Sequence, residues 1–365
     1  MAITHYYVDP GAGSDLADGS IGTPWKTVQH ALDNAIEGAD GTQINIKAGS
    51  TDTLAAALNM TAYLAANVGP SATQPLILRG YTAVADDGGV GALSGNNAVA
   101  IWNTVNTDYV HFMDLSMGNC AGQKILSGIR VGCLIYRCTI HTTTSVAVEI
   151  TNTSHVIGCY LHTLSGSYGM LSTSASLYAW NYVKAGTSAS AISGSGSVAI
   201  GNILVHSSNG GGIGCNDTVG NIVVNTASGT GNGIEALLRG TAINNIVQGY
   251  SGAGGKGINV VAGCKMVGHN AFYNNTTNMS GTPVLSLAAN DVALAADPFT
   301  DAANGDFSLT AAAKTALRGL GWPAAYLGAH ANTDGHVTIG AVQYGEAEAG
   351  GGGMLVGNKR ANKEG

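Results

Sequence analysis

The chain has 365 residues, a formal net charge of −7 and only 10 % charged residues. That balance argues against a nucleic-acid footprint or an anionic-membrane surface. No apolar run of about 18 residues occurs, so no membrane span is expected. The 54 glycines sit among abundant Val, Ile, Leu and Ala, which fits a turn-rich fold with a full core rather than a disordered polymer.

Residues 1–49 read as an opening strand and helical cap. The chain enters a strand, His5-Tyr6-Tyr7-Val8-Asp9, with no basic and apolar leader, so no secretory signal is expected. A loop with Asp15, Asp18 and Gly19 follows. Its two carboxylates are candidates for a calcium site, against the alternative of a solvated turn. Thr23-Pro24-Trp25-Lys26-Thr27 leads into an amphipathic helix over 28–35, and an alternating strand covers 42–49.

Residues 50–285 read as the coils. The spacing predicts a helix over 54–66, a strand over 75–80, a projecting Gly/Asp loop over 83–97, and strands at 98–102 and 109–115. From Val131 to Ala271 the sequence repeats roughly every 19 to 25 residues. One column reads Cys138, Cys159, Asn181, Asn202, Asn221, Asn245 and His269. Another pairs a small residue with an apolar one: Gly128-Ile129, Ala147-Val148, Gly169-Met170, Ala191-Ile192, Gly212-Ile213, Gly233-Ile234 and Gly257-Ile258. Such a period, rich in Val, Ile and Gly, marks stacked short strands, in which like columns lie about 4.8 Å apart. A buried amide column satisfies itself by bonding above and below.

Beyond Ala271 the period breaks. Residues 286–345 read as a closing module, with Asp297-Pro298-Phe299, Gly305-Asp306-Phe307-Ser308-Leu309, a helix over 311–320 and Ile339-Gly340-Ala341-Val342-Gln343. Residues 346–365 form a Gly-rich linker ending in Met354, Leu355, Val356, Lys359 and Arg360, which suits a docking peptide as well as a solubilising tail.

The ladder and both chain ends resemble the pectate-lyase-like right-handed parallel β-helix superfamily, and the resemblance covers nearly the whole chain. It implies an all-β, single-domain right-handed parallel β-helix (a solenoid) with an N-terminal helical cap, a C-terminal cap and an extended tail. That fold serves polysaccharide lyases, glycoside hydrolases, phage tailspikes, adhesins and inert structural pieces, so it implies no single activity.

Cleavage of a polysaccharide needs paired carboxylates roughly 5–9.5 Å apart, or an acidic calcium cluster, or a Lys/Arg base. Residues 115–290 hold only Glu149, Asp217 and Glu235 as acids. The repeat sets Glu149 and Glu235 about 19 Å apart, too far to share a glycosidic bond. It also aligns Arg130 with Glu149 as a surface ion pair. Asp217, Glu235, Arg239 and Lys265 are the lyase-like candidates, with solvated charges as the alternative. His141, His155, His162, His206 and His269 read as structural. Tyr136, Tyr160, Tyr178, Trp180 and Tyr182 fall on successive coils. Of these, Tyr160, Trp180 and Tyr182 are candidates for an aromatic sugar-binding surface, against plain packing. Cys120, Cys133, Cys138, Cys159, Cys215 and Cys264 lack metal spacing and read as reduced, buried thiols of a chain made in a cytoplasm.

The resulting expectation is a non-enzymatic structural protein of a large assembly, such as a capsid-decorating or tail-associated component of a phage virion. Its tail would anchor it to other subunits, capsid or tail proteins, and homotrimerisation is borrowed from phage β-helix proteins. No cofactor beyond calcium is suggested. The alternatives are a polysaccharide lyase or depolymerase, and a glycan-binding module without turnover.

Overall fold

The computed structural model describes residues 3–103, 108–120, 122–142, 145–165, 168–187, 190–207, 209–318 and 320–321. The chain divides into two compact units, Met1–Ser165 with Gly169–Ser176, and Gly166–Tyr168 with Leu177–Gly365. Both are built from parallel strands stacked coil on coil, as the repeat requires.

In the first unit one ladder runs through Thr4–Val8, Thr42–Lys47, Leu76–Tyr81, Val110–Met113, Leu134–Tyr136 and His155–Ile157, each parallel to the next. A second runs through Thr51–Thr53, Gly91–Ser94, Leu115–Gly118, Thr139–Thr142 and Tyr160–Ser165. Side chains alternate across each strand, and the inward set (Ile44, Leu78, Phe112, Ile135 and Val156) is completely buried. The opening helix, Val28–Asn34, starts at Thr27, whose hydroxyl accepts from the His30 N–H.

Three local expectations change. The helix is confined to Thr61–Ala66, because Leu54 and Leu58 are drawn onto the coil instead: Leu54 N–H bonds the Ser94 carbonyl and Leu58 bridges Trp102. The strand expected over 98–102 is only Trp102–Asn103. Residues 83–97 are no projecting loop. Gly91–Ser94 is a strand, and Gly91 packs so closely on Ile46 that a Cβ there would sit 2.8 Å from the Ile46 Cβ. The turn before it is closed by Asp87, which accepts from the N–H groups of Thr82, Ala83, Val84 and Gly89. Those donors, Ala83 foremost, hold the carboxyl well below its ordinary range.

In the second unit one ladder joins Leu177–Ala179, Ile192–Ile200, Ile213–Val219 and Asn232–Ile243, then continues as two rows through Lys256–Val260 and Met266–Gly268. The other joins Tyr182–Thr187, Ile203–His206, Ile222–Asn225, Ile246–Gln248, Ala271–Tyr273 and Val292–Ala293. At the bend between them lies an amide ladder. The Oδ1 of Asn202 accepts from both the backbone N–H and the Nδ2 of Asn181, each at 3.0 Å. Asn221 does the same for Asn202, Asn245 for Asn221, and Asn270 for Asn245. The second Nδ2 proton reaches a carbonyl one coil further back: Asn202 to Tyr178, Asn221 to Ala199, Asn245 to Thr218. Asp291 ends the stack by accepting from Asn270 N–H at 2.8 Å. A terminal rung needs only an acceptor, and burial raises the Asp291 carboxyl above its ordinary value.

The last expected rung is corrected by one residue. Thr241 pairs with Met266 and Ile243 with Gly268, so Asn270, not His269, continues the column. Likewise Leu126, not Ile129, lies opposite Val148, which removes Gly128-Ile129 from the second column and displaces Arg130 from Glu149. In the first unit Cys138 and Cys159 do share the bend, with Cys138 N–H directed at the Cys159 sulfur. None of the six cysteines forms a disulfide, and all are buried.

The closing module folds as an antiparallel pair, Phe299–Asp301 with Asp306–Leu309, and a helix over Ala311–Leu317, three residues shorter than expected. Phe299, Phe307, Leu309, Ala313 and Leu317 pack on Val205, Ile222, Val224, Ile246 and Ala271. Those residues alternate with the inward Leu204, Val223 and Val247, so the module lies along the outer face of these strands. Its segment 322–345, including Ile339 to Gln343, lies outside the described residues, as does the tail.

His206 points the other way, into the core between Ala185 and Asn225 in register, and it is completely buried. Neither ring nitrogen has a hydrogen-bond partner among the described residues. Burial lowers its pKa to about 4. Because the unfolded imidazole takes up a proton near pH ~6.5 and the folded one does not, stability declines as pH falls from about 6.5 to about 4. Denaturant unfolding should therefore give a loss of about 3 kcal/mol over that window, and His206→Phe should remove most of it.

Candidate functional site

The densest charged cluster lies in the first unit, at the turn between Val110–Met113 and Leu115–Gly118. Asp114 occupies that turn with a φ of 53° and is 1 % exposed. Its Oδ2 accepts from Arg79 Nε at 3.1 Å and from Arg137 Nη2 at 2.7 Å. The register explains the convergence: Arg79 lies opposite Met113, and Met113 opposite Tyr136, so Asp114 and Arg137 hold equivalent places on adjacent coils. The other arm of Arg79 holds Asp86, whose Oδ1 also accepts from Gln43 Nε2 at 3.0 Å. The Arg137 guanidinium lies 4.8 Å from the Tyr136 ring centroid, and its bond to Asp114 raises its pKa further. The cluster fixes two permanent cations against a carboxylate. It pins turns, and two of its members, Arg137 (39 %) and Asp86 (51 %), reach solvent substantially.

Glu149 is held by Lys124 Nζ at 2.5 Å and Ser127 Oγ at 2.7 Å. Burial alone would raise it, but these two partners outweigh burial and hold the carboxyl below its ordinary value. The expected Arg130 pair is not formed; Arg130 meets Asp108 at 3.5 Å. Asp15 accepts from Lys26 N–H, Thr27 N–H and the Thr27 hydroxyl. Asp18 accepts from Ser20 N–H and the Thr23 hydroxyl, chiefly the latter, which lowers it to about 2. Both carboxylates thus close turns around Trp25 rather than facing one another as ligands. Among the described residues no group of three or more His, Cys, Asp or Glu side chains could hold a metal ion.

In the second unit the register places Asp217, Arg239 and Lys265 on successive coils around one irregular turn. Asp217 lies opposite Thr241 and accepts its hydroxyl at 2.8 Å. Arg239 sits two residues earlier at a kink with φ 66°. Lys265 N–H bonds the Gly240 carbonyl. Glu235 stands on the far side of the kink, opposite Gly214 and Asn259. Asn259 Oδ1 is taken by Lys256 and Ser280. Among the described residues no ion pair joins any two of the four candidates.

The aromatic candidates fall in different surroundings. Tyr160 packs between His141 and His162, with centroids 5.7 and 6.5 Å away. Tyr182 meets Phe307 of the closing module edge-on at 6.0 Å. Tyr178 is interior, whereas Trp180 is 44 % exposed. Met354, Leu355, Val356, Lys359 and Arg360 lie outside the described residues. A shallow depression lined by Glu37, Gly38, Asn67 and Gln74 contains none of the candidate residues. Sequence reasoning missed Asp114 because the acids were sought from residue 115 onward. The available signal was its place just before the bend, matching Arg137.

No family model matches the chain, and no curated protein matches it in sequence. Among solved structures it is similar to the pectate lyase Pel9A, with a TM-score of 0.53 at 15 % identity over 94 % of this chain and 97 % of that one. It is also similar to a glycoside hydrolase, with a TM-score of 0.50 at 10 % identity over 86 % of this chain and 100 % of that one. The chain therefore has the parallel β-helix fold of pectate-lyase-like proteins. At such identities the likeness defines the fold alone.

Asp114→Ala should cost about 2–4 kcal/mol in denaturant unfolding, because it removes the carboxylate shared by two guanidiniums and leaves the largely buried Arg79 with Asp86 alone. Arg137→Ala should cost about 1 kcal/mol, its guanidinium being partly solvated.

Proposed function

We propose that this chain is a non-enzymatic β-helix body of a large assembly, in keeping with a capsid-decorating or tail-associated component of a phage virion. The observation that carries the reading is how its carboxylates are used. Asp9 holds Gly11, Ala12 and Lys47. Asp52 accepts from Val28 N–H at the start of a helix. Asp15, Asp18, Asp87, Asp114, Glu149 and Asp291 are likewise engaged in turns, ion pairs or the ladder. Charge used in this way supports a rigid, displayed body. The apolar-basic tail, Met354 to Val356 with Lys359 and Arg360, is the anchor to capsid or tail proteins in this reading, and the body assembles as a homotrimer.

A second reading, a polysaccharide lyase or depolymerase, is favoured by the placement of Asp217, Arg239 and Lys265 on successive coils around one kink. The two readings separate in paired experiments. Immobilised full-length chain should retain purified assembled particles, whereas a chain ending at Tyr344 should not. Digests of uronate-containing and neutral polysaccharides should release neither unsaturated nor reducing ends. Release of such ends that disappears in Glu235→Gln or Lys265→Ala would overturn the structural reading in favour of the second.

A further inference from the structure

Trp180 occupies a position where the fold favours glycine. It forms the turn between Leu177–Ala179 and Tyr182–Thr187 with a φ of 53°. Later coils of the same unit place Gly201, Gly220, Asn244 and His269 there, with φ of 61°, 64°, 59° and 56°. The row is in register: Trp180 N–H donates to the Ile200 carbonyl at 2.9 Å, Gly201 to Val219 at 3.0 Å and Gly220 to Ile243 at 3.1 Å. Glycine adopts this left-handed conformation freely, whereas a bulky L-residue is strained in it.

The strain has no visible compensation in packing. Trp25 and Trp102 are buried, the first with its indole N–H on the Ala17 carbonyl and the second edge-on to Phe112. Trp180 is 44 % exposed, and no hydrogen bond reaches its indole N–H among the described residues. Yet the ring is seated. A Cβ added at Gly201 would lie 2.7 Å from Trp180 Cδ1 and 2.9 Å from Nε1, so the indole edge rests directly on the glycine turn of the next coil. The outcome is an aromatic plane fixed at the surface, beside two turns that carry no side chains. Strain retained at an exposed, well-placed side chain points to function.

We propose that Trp180 is a stacking platform for one hexopyranose ring of a neutral polysaccharide, with Gly201 as its seat. An indole face takes the C–H face of a sugar ring, and its N–H remains able to donate to a hydroxyl. No residue of the row from Trp180 to Asn244 is charged, and the chain carries −7 overall, which favours a neutral glycan over a polyanion. A protein partner fits less well. A protein hot spot is ringed by apolar surface that the partner desolvates, but the neighbouring outward side chains Ile200, Val219 and Ile243 already pack on one another and are only 8, 7 and 4 % exposed. The proposal is independent of the assembly reading, since a displayed body can bind sugar with or without a tail anchor.

The test compares the full-length chain with Trp180→Gly by calorimetric titration of cellohexaose, mannohexaose and maltohexaose, with polygalacturonate as the anionic contrast. At least one neutral oligosaccharide should bind saturably and perturb fluorescence that Trp180→Gly lacks. Trp180→Gly should bind it at least about ten-fold more weakly, while unfolding at the same temperature or higher because the backbone strain is relieved. Four results would overturn the proposal. These are no saturable binding of any neutral probe, binding unchanged in Trp180→Gly, a lowered unfolding temperature in Trp180→Gly, and loss of particle retention in that variant with sugar binding intact. The last would make Trp180 a protein contact.

Discussion

A bend in a stacked strand leaves polar groups inside the molecule with no sheet partner, and the rest of this structure depends on how that problem is solved. In the second unit the solution is the ladder from Asn181 to Asn270. Each internal rung accepts two hydrogen bonds on Oδ1 and donates two from Nδ2, which is the full capacity of an amide. A buried polar network is stabilising when every member is satisfied and costly when one is not. The ladder therefore fixes the register of every coil it crosses. A slip of one residue would place a left-handed turn residue where an amide must stand.

The ladder also dictates what stands next to it. The residue before each rung turns left-handed. Gly201 and Gly220 meet that demand without strain, whereas Asp114 and Arg137 in the first unit, and Trp180, Asn244 and His269 in the second, meet it with a side chain present. Asn tolerates this region, and the His269 ring bonds the Leu320 carbonyl. Asp114 and Arg137 recover the cost by binding each other. Trp180 has no such partner among the described residues, so the backbone rule that explains the fold also marks it as a position suited to a ligand. Elsewhere the carboxylates of Asp15, Asp87 and Glu149 are absorbed by turns and neighbouring cations, and the coils present little unpaired acid. Architecture and proposed role follow from the same economy of charge.

Much of this was legible in the sequence. The Asn column survives because a stacked amide must recur at every coil whatever the loop lengths between, so it stands out even at a variable period. The slip at His269 arose because Gly268-His269-Asn270 offers two registers, and only pairing with Thr241 to Ile243 decides between them. The Gly128-Ile129 pair misled for a related reason: Leu126 lies opposite Val148, and a bulge adds one residue before Ile129 meets Ile150. Gly91–Ser94 was read as loop because its glycine signals a turn, while its actual reason is close approach to Ile46. The wrapping of the closing module along Ile222–Asn225 had a signal, since a strand buried on both faces reads as a continuous apolar run. Of the candidate site, the residue types around Thr241 were legible in the sequence, but not the kink at Arg239 that separates Glu235 from the other three. The repeat offered a signal for Asp114 in its place matching Arg137, but not its pairing with Arg79 and Arg137, which lie 35 and 23 residues away.

The measurement that bears most directly on this account is residue-resolved hydrogen exchange on the native protein and on Asn221→Ala. The account predicts that the backbone amides of Asn181, Asn202, Asn221 and Asn245, each bonded only to a side-chain oxygen of the next coil, exchange as slowly as the central strand amides. It further predicts that Asn221→Ala lowers protection at Asn202 most of all, with a loss of about 2–4 kcal/mol in global stability. Exchange at Asn202 as fast as in an exposed turn, or an Asn221→Ala variant as stable as the native chain, would contradict it.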